Sequence, residues 1–154
     1  MMELRRAAVK DAHTIWELQR KAFAGLLAKY QDYETSPGNE SAERTEEKLR
    51  EPYTCFYMIM DEDKIVGAVR VVDKKDGSRK RISPIFILKE YRNKGYAQSA
   101  ITEVERIHGE NHWKLDTILQ ETGNCYLYEK MGYHRTGKTE AVNDKMTIVH
   151  YEKN

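Results

Sequence analysis

Length, composition and charge exclude several classes of protein. With 154 residues the chain corresponds to one domain, residues 1–154, which is long enough to bury most of its apolar surface. Its 26 basic and 25 acidic residues leave no excess charge that would favour a nucleic acid or a membrane as partner, and no apolar run reaches membrane-spanning length.

Hydrophobic periodicity predicts seven strands and four helices. The strands are expected at residues 3–8, 54–60, 64–72, 80–88, 114–120, 133–139 and 145–152. The helices are expected at residues 11–25, 41–50, 97–107 and 124–131, with Ser41 or Asn39 as the cap of the second. The polar segment 29–39 between the first two helices is predicted to be a loop and a candidate lid.

Two features of the strand at residues 80–88 affect its pairing. Pro84 lies in its middle and cannot donate a hydrogen bond, so the strand should carry a bulge or lose pairing on one side there. The strand, helix and strand between residues 80 and 120 should form a right-handed crossover, which makes the two strands parallel. The complete pattern predicts a mixed sheet with helices on both faces.

A glycine-containing turn at residues 91–97 is the strongest local indication of function. Gly95 permits backbone angles closed to other residues, and the following helix presents free N–H groups and its positive dipole end to an anion. Arg92 and Lys94 add mobile positive charge. The turn lacks the endings of a P-loop and of a Rossmann fingerprint. We interpret it as a phosphate-binding turn; the alternative is an ordinary strand-to-helix turn with solvated basic residues.

Two blocks of sequence resemble the GNAT superfamily of acetyl-CoA-dependent N-acetyltransferases. Residues 85–97 are similar to the family's pyrophosphate-binding strand and loop, and residues 124–133 to its Asn, Tyr-Glu-Lys, Gly-aromatic signature. Lys89 replaces a proline common in the family, and Ala97 replaces the last glycine of the loop. The resemblance implies an α/β (α+β mixed) fold, with a mostly antiparallel seven-stranded sheet, about four helices on both faces, and a splay between the fourth and fifth strands.

By the same resemblance the chain is expected to bind acetyl-CoA as a co-substrate and to need no metal. Backbone groups of Phe86 and Ile87 would pair with the pantetheine arm, and amides from Arg92 to Ala97 would bind the pyrophosphate. Asn124 would contact pantetheine, although capping of its helix is an equally good interpretation. The expected cofactor-binding residues are Phe86, Ile87, Leu88, Arg92, Asn93, Lys94, Gly95, Tyr96, Ala97, Gln98, Asn124 and Tyr128.

Acetyl transfer to an amine needs a neutral nucleophile, a stabilised oxyanion and a proton for the departing thiolate. Tyr128 matches the family's tyrosine in the last role, since a phenol with a pKa of about 10 is protonated at neutral pH. The alternative for Tyr128 is a packed aromatic side chain. A backbone N–H near Ile87 is expected to polarise the thioester carbonyl. Glu121 is the nearest candidate for the general base, and a solvated loop glutamate is its alternative.

The acceptor is expected to lie near the polar loop, because the family places its acceptor pocket around the first two helices and the last strands. The segment from Tyr30 to Glu40 contains two tyrosines, Tyr30 and Tyr33, and the carboxylates Asp32, Glu34 and Glu40. Such side chains would suit a cationic amine, but a solvated acidic loop has the same composition. Polyamines, aminoglycosides, amino acids and protein amines remain open as small-molecule or peptide acceptors.

We therefore predict an N-acetyltransferase that moves the acetyl group of acetyl-CoA to a primary amine by direct transfer in a ternary complex. The alternatives are a catalytically silent acyl-CoA-binding sensor or interaction module, and a small protein that binds ATP. Cys55 and Cys125 are expected to be free thiols in the cytoplasm. The five histidines, including His150, show no metal-binding pattern and are expected at the surface or at caps. Members of the family commonly form homodimers, so a homodimer is possible, but no residue of this sequence indicates one.

Overall fold

Seven strands form one mixed sheet with helices on both faces in the computed structural model, which describes all 154 residues. The strands are β1 (Met2–Arg6), β2 (Thr54–Asp61), β3 (Lys64–Val72), β4 (Lys80–Ile87), β5 (Trp113–Ile118), β6 (His134–Ala141) and β7 (Thr147–Lys153). The helices are α1 (Ala12–Tyr30), α2 (Ala42–Arg50), α3 (Tyr96–His108) and α4 (Thr122–Lys130). In the order β1-β2-β3-β4-β5-β7-β6, only β4 and β5 are parallel neighbours, which confirms the predicted mostly antiparallel sheet.

The sheet separates two hydrophobic cores. Along β2, Tyr57 and Ile59 join the core that α3 and α4 cover, whereas Phe56 and Met58 join the core beneath α1. Full burial of one such side chain stabilises the fold by about 1.5–3 kcal/mol. Strand β2 is therefore apolar on both faces, as predicted for a central strand.

Strands β4 and β5 pair only where they begin. The parallel pairs are Lys80 with Trp113 and Arg81 with Lys114, and the two strands separate beyond them. Strand β5 instead pairs with β7 along its whole length. This separation is the predicted splay between the fourth and fifth strands.

The predicted bulge at Pro84 is present. The register between β3 and β4 shifts between Val69 and Val71, opposite Ser83 and Pro84. Arg70 is 6% exposed at this shift, and its Nη1 donates a hydrogen bond to the carbonyl oxygen of Ser83 at 2.9 Å. A side chain of β3 thus bonds a backbone group at the point where the ladder is interrupted.

Helix α1 is longer than predicted. The sequence predicts an end near Gly25, but the helix continues to Tyr30 and is followed by Gln31 in the left-handed conformation, with φ of 56°. A Cβ at Gly25 would meet no atom within 4 Å, so this glycine lies on the open side of the helix. Tyr30, which is 3% exposed, continues the buried side. The prediction of a loop at residues 29–39 is therefore wrong at its start, because its first two residues are helical.

The other strands and helices agree with the prediction within two residues at each end. Helix α2 has the predicted cap, because Ser41 Oγ accepts a hydrogen bond from the backbone N–H of Arg44 at 3.1 Å. None of the four helices is both long enough and apolar enough to cross a membrane.

Candidate active site

A cleft opens where β4 and β5 separate. Its volume is about 450 Å³, and it lies between β4, the second half of α1 and the starts of α3 and α4. Most of the predicted site residues line it, namely Phe86, Ile87, Arg92, Asn93, Gly95, Tyr96, Ala97, Gln98, Glu121, Asn124 and Tyr128. The predicted residues Leu88 and Lys94 do not line it.

The edge of β4 that faces the cleft has backbone groups free of any neighbouring strand. The N–H of Leu88 donates to the carbonyl oxygen of Val66 at 2.8 Å, which fixes the alternation of the ladder between β4 and β3. By this alternation the backbone groups of Phe86 face β3, whereas those of Ile85 and Ile87 face the cleft. The expectation that backbone groups of Phe86 are free to pair with an added strand is therefore wrong, because they face β3, and those of Ile85 are free instead.

Six consecutive backbone N–H groups, those of residues 93–98, have no hydrogen-bond acceptor in the chain. We call this segment the amide loop. Two of its residues have positive φ, Asn93 at 63° and Gly95 at 82°, so that successive N–H groups turn towards one side. The first bonded amide of α3 is that of Ser99, which donates to the carbonyl oxygen of Gly95 at 3.0 Å. The end of the cleft therefore presents amides and a helix dipole suited to an anion.

Arg92 positions the amide loop. Its Nε donates to the carbonyl oxygen of Ile87 at 2.9 Å, and its Nη2 donates to that of Ala22 at 2.7 Å. The expectation that Arg92 supplies mobile charge is therefore wrong, because both bonds tie its guanidinium to β4 and α1. Lys94 is exposed, with its Nζ 5.9 Å from the centre of the Tyr91 ring.

Tyr128 reaches the cleft from α4. The residue is 8% exposed, and its ring packs against those of Tyr133 and Tyr151, whose centres are 6.3 Å and 6.2 Å away. Its hydroxyl makes no hydrogen bond within the chain, although the residue lines the cleft. Burial, and to a smaller extent the nearby Cys125 thiol, raises the pKa of Tyr128 to about 12. At neutral pH this hydroxyl is a free hydrogen-bond donor.

Glu121 joins the end of α1 to the start of α4. Its Oε2 accepts hydrogen bonds from Lys29 Nζ at 2.9 Å and from the hydroxyl of Tyr30. These bonds, first from Lys29 and then from Tyr30, lower the pKa of Glu121. Its carboxylate is 23% exposed and is ionised and paired at neutral pH. The side chain of Asn124, one turn further on, caps nothing in the chain and remains free towards the cleft.

A second cavity of about 350 Å³ meets the first. The two cavities share the side chains of Phe23, Leu26, Ile85, Asn124 and Tyr128. The second cavity extends from them along β5, β6 and β7 and under the segment that follows α1. Tyr128 is thus accessible from two connected cavities, one of which contains the open edge of β4.

The structure separates the predicted acceptor residues. Tyr30 and Asp32 line the second cavity, but Tyr33 is 60% exposed and lies outside both cavities. Asp32 accepts hydrogen bonds from the N–H and the hydroxyl of Thr35, so its carboxylate stabilises the loop.

Glu40 is also used within the fold. Its carboxylate binds Lys48, Thr45 at 2.7 Å and Gln19 at 3.1 Å. Glu40 is therefore neutralised by Lys48, and neither Glu40 nor the exposed Glu34 lines either cavity.

A group of charged residues on the wall of the second cavity was not predicted. Arg81 Nη2 lies 3.0 Å from Asp116 Oδ2, His150 Nδ1 lies 2.6 Å from Asp116 Oδ1, and His150 Nε2 lies 2.8 Å from Glu140 Oε1. The expectation of a surface or capping role for His150 misses this arrangement. Pairing between strands brings these side chains together: β5 with β7 sets Asp116 opposite His150, β6 with β7 places Glu140 nearby, and β4 with β5 places Arg81.

Sequence and structure comparisons identify related proteins. A sequence model of the acetyltransferase (GNAT) family matches residues 13–133. N-acetyltransferase 8 of Homo sapiens is 28% identical over 102 residues, an alignment that covers 62% of this chain and 45% of that protein. The chain therefore spans less than half the length of this curated relative.

Two solved structures share the fold. Spermidine N-acetyltransferase from Vibrio cholerae, in complex with CoA and spermine, has a TM-score of 0.74 and 18% identity over 97% of this chain and 93% of that one. The ribosomal-protein-S18-alanine N-acetyltransferase from Escherichia coli has a TM-score of 0.76 and 9% identity over 98% and 92%. At these identities the structures support the fold alone. The family match, however, covers most of the chain and includes both the amide loop and Tyr128, so this protein belongs to the GNAT family of acetyltransferases.

Proposed function

We propose that the protein transfers the acetyl group of acetyl-CoA to a primary amine by direct transfer in a ternary complex. The observation that carries this proposal is the open edge of β4, which leads directly to the six free amides of the amide loop. An extended amide-containing arm that ends in a diphosphate matches this sequence of backbone donors and acceptors.

Several groups of the chain would hold acetyl-CoA. The N–H of Ile87 and the C=O of Ile85 would pair with the pantetheine arm, as an added strand would. The carbonyl oxygen of Ile87 already accepts from Arg92 and is less available. The amide loop would bind the diphosphate, and the free side chain of Asn124 would bond the pantetheine arm from the opposite wall.

Acetyl-CoA supplies a thioester whose carbonyl carbon accepts the amine and whose sulfur leaves as a thiolate. The N–H of Ile85 faces the cleft further from the amide loop and would donate to the carbonyl oxygen as negative charge develops there. The hydroxyl of Tyr128 would donate a hydrogen bond to the departing sulfur. A thiol titrates near 8.5, well below the Tyr128 pKa of about 12, so Tyr128 stabilises the thiolate mainly as a hydrogen-bond donor.

Glu121 remains the candidate for the proton acceptor from the amine, but its bonds favour a second role. Because Lys29 and Tyr30 stabilise its ionised form and lower its pKa, Glu121 is a weaker base than a free glutamate. The same bonds hold the end of α1 over the cleft. We therefore propose that Glu121 acts first as a tether between α1 and α4.

The unpaired thiols of Cys55 and Cys125 suit a reducing compartment, and we place the activity in the cytoplasm.

The relatives named above act on spermidine and on a ribosomal protein, so both small and protein amines are reasonable first candidates for the acceptor.

A release assay for the CoA thiol, run with acetyl-CoA and a panel of amines, tests this proposal. We expect release that depends on at least one primary amine. Normal CoA binding without release for any amine would instead indicate a silent acyl-CoA sensor. Greater thermal stabilisation by ATP than by CoA would indicate a nucleotide-binding protein and would also contradict the proposal.

A further inference from the structure

The amide loop has no backbone hydrogen bonds from its own amides to hold its shape. None of the N–H groups of residues 93–98 has an acceptor in the chain, and residues 92–95 are exposed. Such a segment samples several conformations unless side chains near its two ends fix it. Alignment of several amides on one diphosphate therefore depends on contacts at both ends of the loop.

Arg92 supplies the contact at the start of the loop, through its bonds to the carbonyl oxygens of Ile87 and Ala22. A second contact lies where the loop enters α3. Tyr96 is the first residue of α3, and its hydroxyl donates a hydrogen bond to Oδ2 of Asp61. The loop is thus bonded to the rest of the fold on two sides.

Asp61 is a fixed point of the sheet. It is the last residue of β2, and its backbone is paired with Lys64 of β3 on one side and with Met2 of β1 on the other. The ring of Tyr96 packs against the core that α3 covers, and the residue lines the cleft. The bond between the two side chains therefore connects the start of α3 to a central strand.

Both groups are in the protonation states that this bond requires at neutral pH. The hydrogen bond from Tyr96 is the main cause that lowers the pKa of Asp61, and the same bond raises the pKa of Tyr96. The carboxylate is therefore ionised and accepts, while the phenol keeps its proton and donates. The other oxygen of Asp61, Oδ1, lies 2.9 Å from the amino nitrogen of Met1.

The negative charge of Asp61 by itself disfavours a bound diphosphate, because a carboxylate beside an anion-binding loop repels the anion. Any benefit from Asp61 must come from the position that it gives to Tyr96. The effect of charge and the effect of position thus have opposite signs, and a substitution can tell them apart.

We propose that Asp61 is a positioning residue for CoA binding: it holds Tyr96 and thereby keeps the amides of the loop aligned on the diphosphate. The inference rests on the proposed function, because it takes the amide loop as the diphosphate site. Asp61 does not line the cleft and acts through Tyr96 alone.

Calorimetric titration with CoA tests the proposal without requiring an acceptor. Asp61→Ala and Tyr96→Phe should each raise the dissociation constant about fivefold, the usual effect of losing one hydrogen bond. The double variant should also show about fivefold, because both substitutions break the same bond. Asp61→Asn keeps a carbonyl oxygen that can accept from Tyr96, so it should restore most of the affinity.

Glu62→Gln is the matched control. Glu62 follows Asp61 in the same turn, its side chain is 81% exposed, and its Oε1 lies 3.9 Å from the amino nitrogen of Met1, but it makes no bond to Tyr96. Its substitution removes a neighbouring negative charge and should leave the dissociation constant unchanged.

Several results would overturn the inference. Tighter CoA binding by Asp61→Ala would show that charge outweighs position, and losses that multiply in the double variant would show that the two residues act separately. A contact with a purely structural role would lower the melting temperature and leave the dissociation constant of the folded protein unchanged. Failure of the parent protein to bind CoA would contradict the proposed function and this inference with it, whereas equal binding by the parent and all variants would contradict this inference alone.

Discussion

Arg92 holds the amide loop against helix α1 through a hydrogen bond of 2.7 Å from its Nη2 to the carbonyl oxygen of Ala22. Its Nε also bonds the carbonyl oxygen of Ile87, so one guanidinium connects α1, β4 and the turn that precedes α3. A lysine carries the same charge but cannot reproduce two bonds in a fixed geometry. The affinity for CoA should therefore depend on the shape of the Arg92 side chain as well as on its charge.

The first prediction concerns Arg92→Lys. We expect the dissociation constant for CoA, measured by calorimetry, to rise about tenfold, since charged hydrogen bonds contribute about 1.5–3 kcal/mol. Lys94→Ala is the matched control: Lys94 is exposed and screened by salt, so its loss should change affinity by less than about threefold at physiological ionic strength. A larger effect at Lys94 than at Arg92 would mean that charge, and not position, governs binding.

The second prediction concerns Gly95, where a side chain would meet both a positive φ and the bound diphosphate. Gly95→Val should weaken CoA binding at least about tenfold and destabilise the protein by about 1–2 kcal/mol through backbone strain. Gly77 has a similar φ of 89° in an exposed turn, and no atom lies near its Cβ position. Gly77→Val should cause the same strain and leave CoA binding intact. Equal affinities of the two variants would count against the amide loop as the diphosphate site.

The third prediction concerns the hydroxyl of Tyr128. Tyr128→Phe keeps the packing against Tyr133 and Tyr151 and removes only the free donor, so kcat should fall about 100-fold while the dissociation constant for CoA stays the same. Tyr126→Phe, at a position that is 69% exposed, provides the control and should be silent. Unchanged turnover of Tyr128→Phe would remove Tyr128 from the mechanism.

The fourth prediction distinguishes the two roles of Glu121. As a tether, Glu121→Gln should lower the melting temperature, and Lys29→Met should do the same, with kcat falling less than about tenfold in both. Because the pKa of Glu121 is lowered in the folded state, its contribution to stability is present above the unfolded pKa of about 4.3 and is lost as the pH falls through the folded pKa. A loss of kcat in Glu121→Gln that Lys29→Met does not share would establish Glu121 as the base.

The fifth prediction concerns alkaline stability. Burial raises the pKa of Tyr128, Tyr133 and Tyr151, and carboxylates that accept from the last two raise theirs further. In the unfolded chain these phenols ionise near pH 10. Each phenol therefore contributes fully to the free energy of unfolding below pH 10. Above that pH the unfolded chain ionises first, and the free energy of unfolding should fall by about 1.4 kcal/mol per pH unit for each tyrosine. Denaturant melts at pH 9 to 11.5 measure this slope. Tyr128→Phe removes one of the three tyrosines, so its slope should be smaller by about 1.4 kcal/mol per pH unit.

Most of the fold follows from local patterns in the sequence. The two-sided apolar pattern of β2 identifies a central strand, and Pro84 indicates the bulge because a residue without an N–H cannot complete a ladder. The end of α1 could not be placed, because Gly25 looks like a stop in the sequence. It is tolerated in the helix since packing of the Tyr30 side chain outweighs the cost of about 1 kcal/mol for one exposed glycine.

The site is less predictable where it depends on pairing across the sheet. The amide loop lies within one continuous segment, so its glycine and following helix reveal it. The contact of Asp116 with His150 requires the register of two strands that lie more than 30 residues apart in sequence, and no local pattern encodes that register. The sequence also could not show that Ile85, and not Phe86, has free backbone groups at the cleft. That depends on strand pairing as well, because it is set by which backbone groups of β4 already face β3.

Hydrogen exchange of the backbone amides with and without CoA tests the central claim most directly. The amides of residues 93–98 have no acceptor in the free protein and should exchange rapidly, and CoA should slow them together with that of Ile87. The amide of Phe86 should be protected in both states. CoA binding verified by calorimetry but without protection of the amide loop would contradict the account, because the diphosphate would then be bound elsewhere.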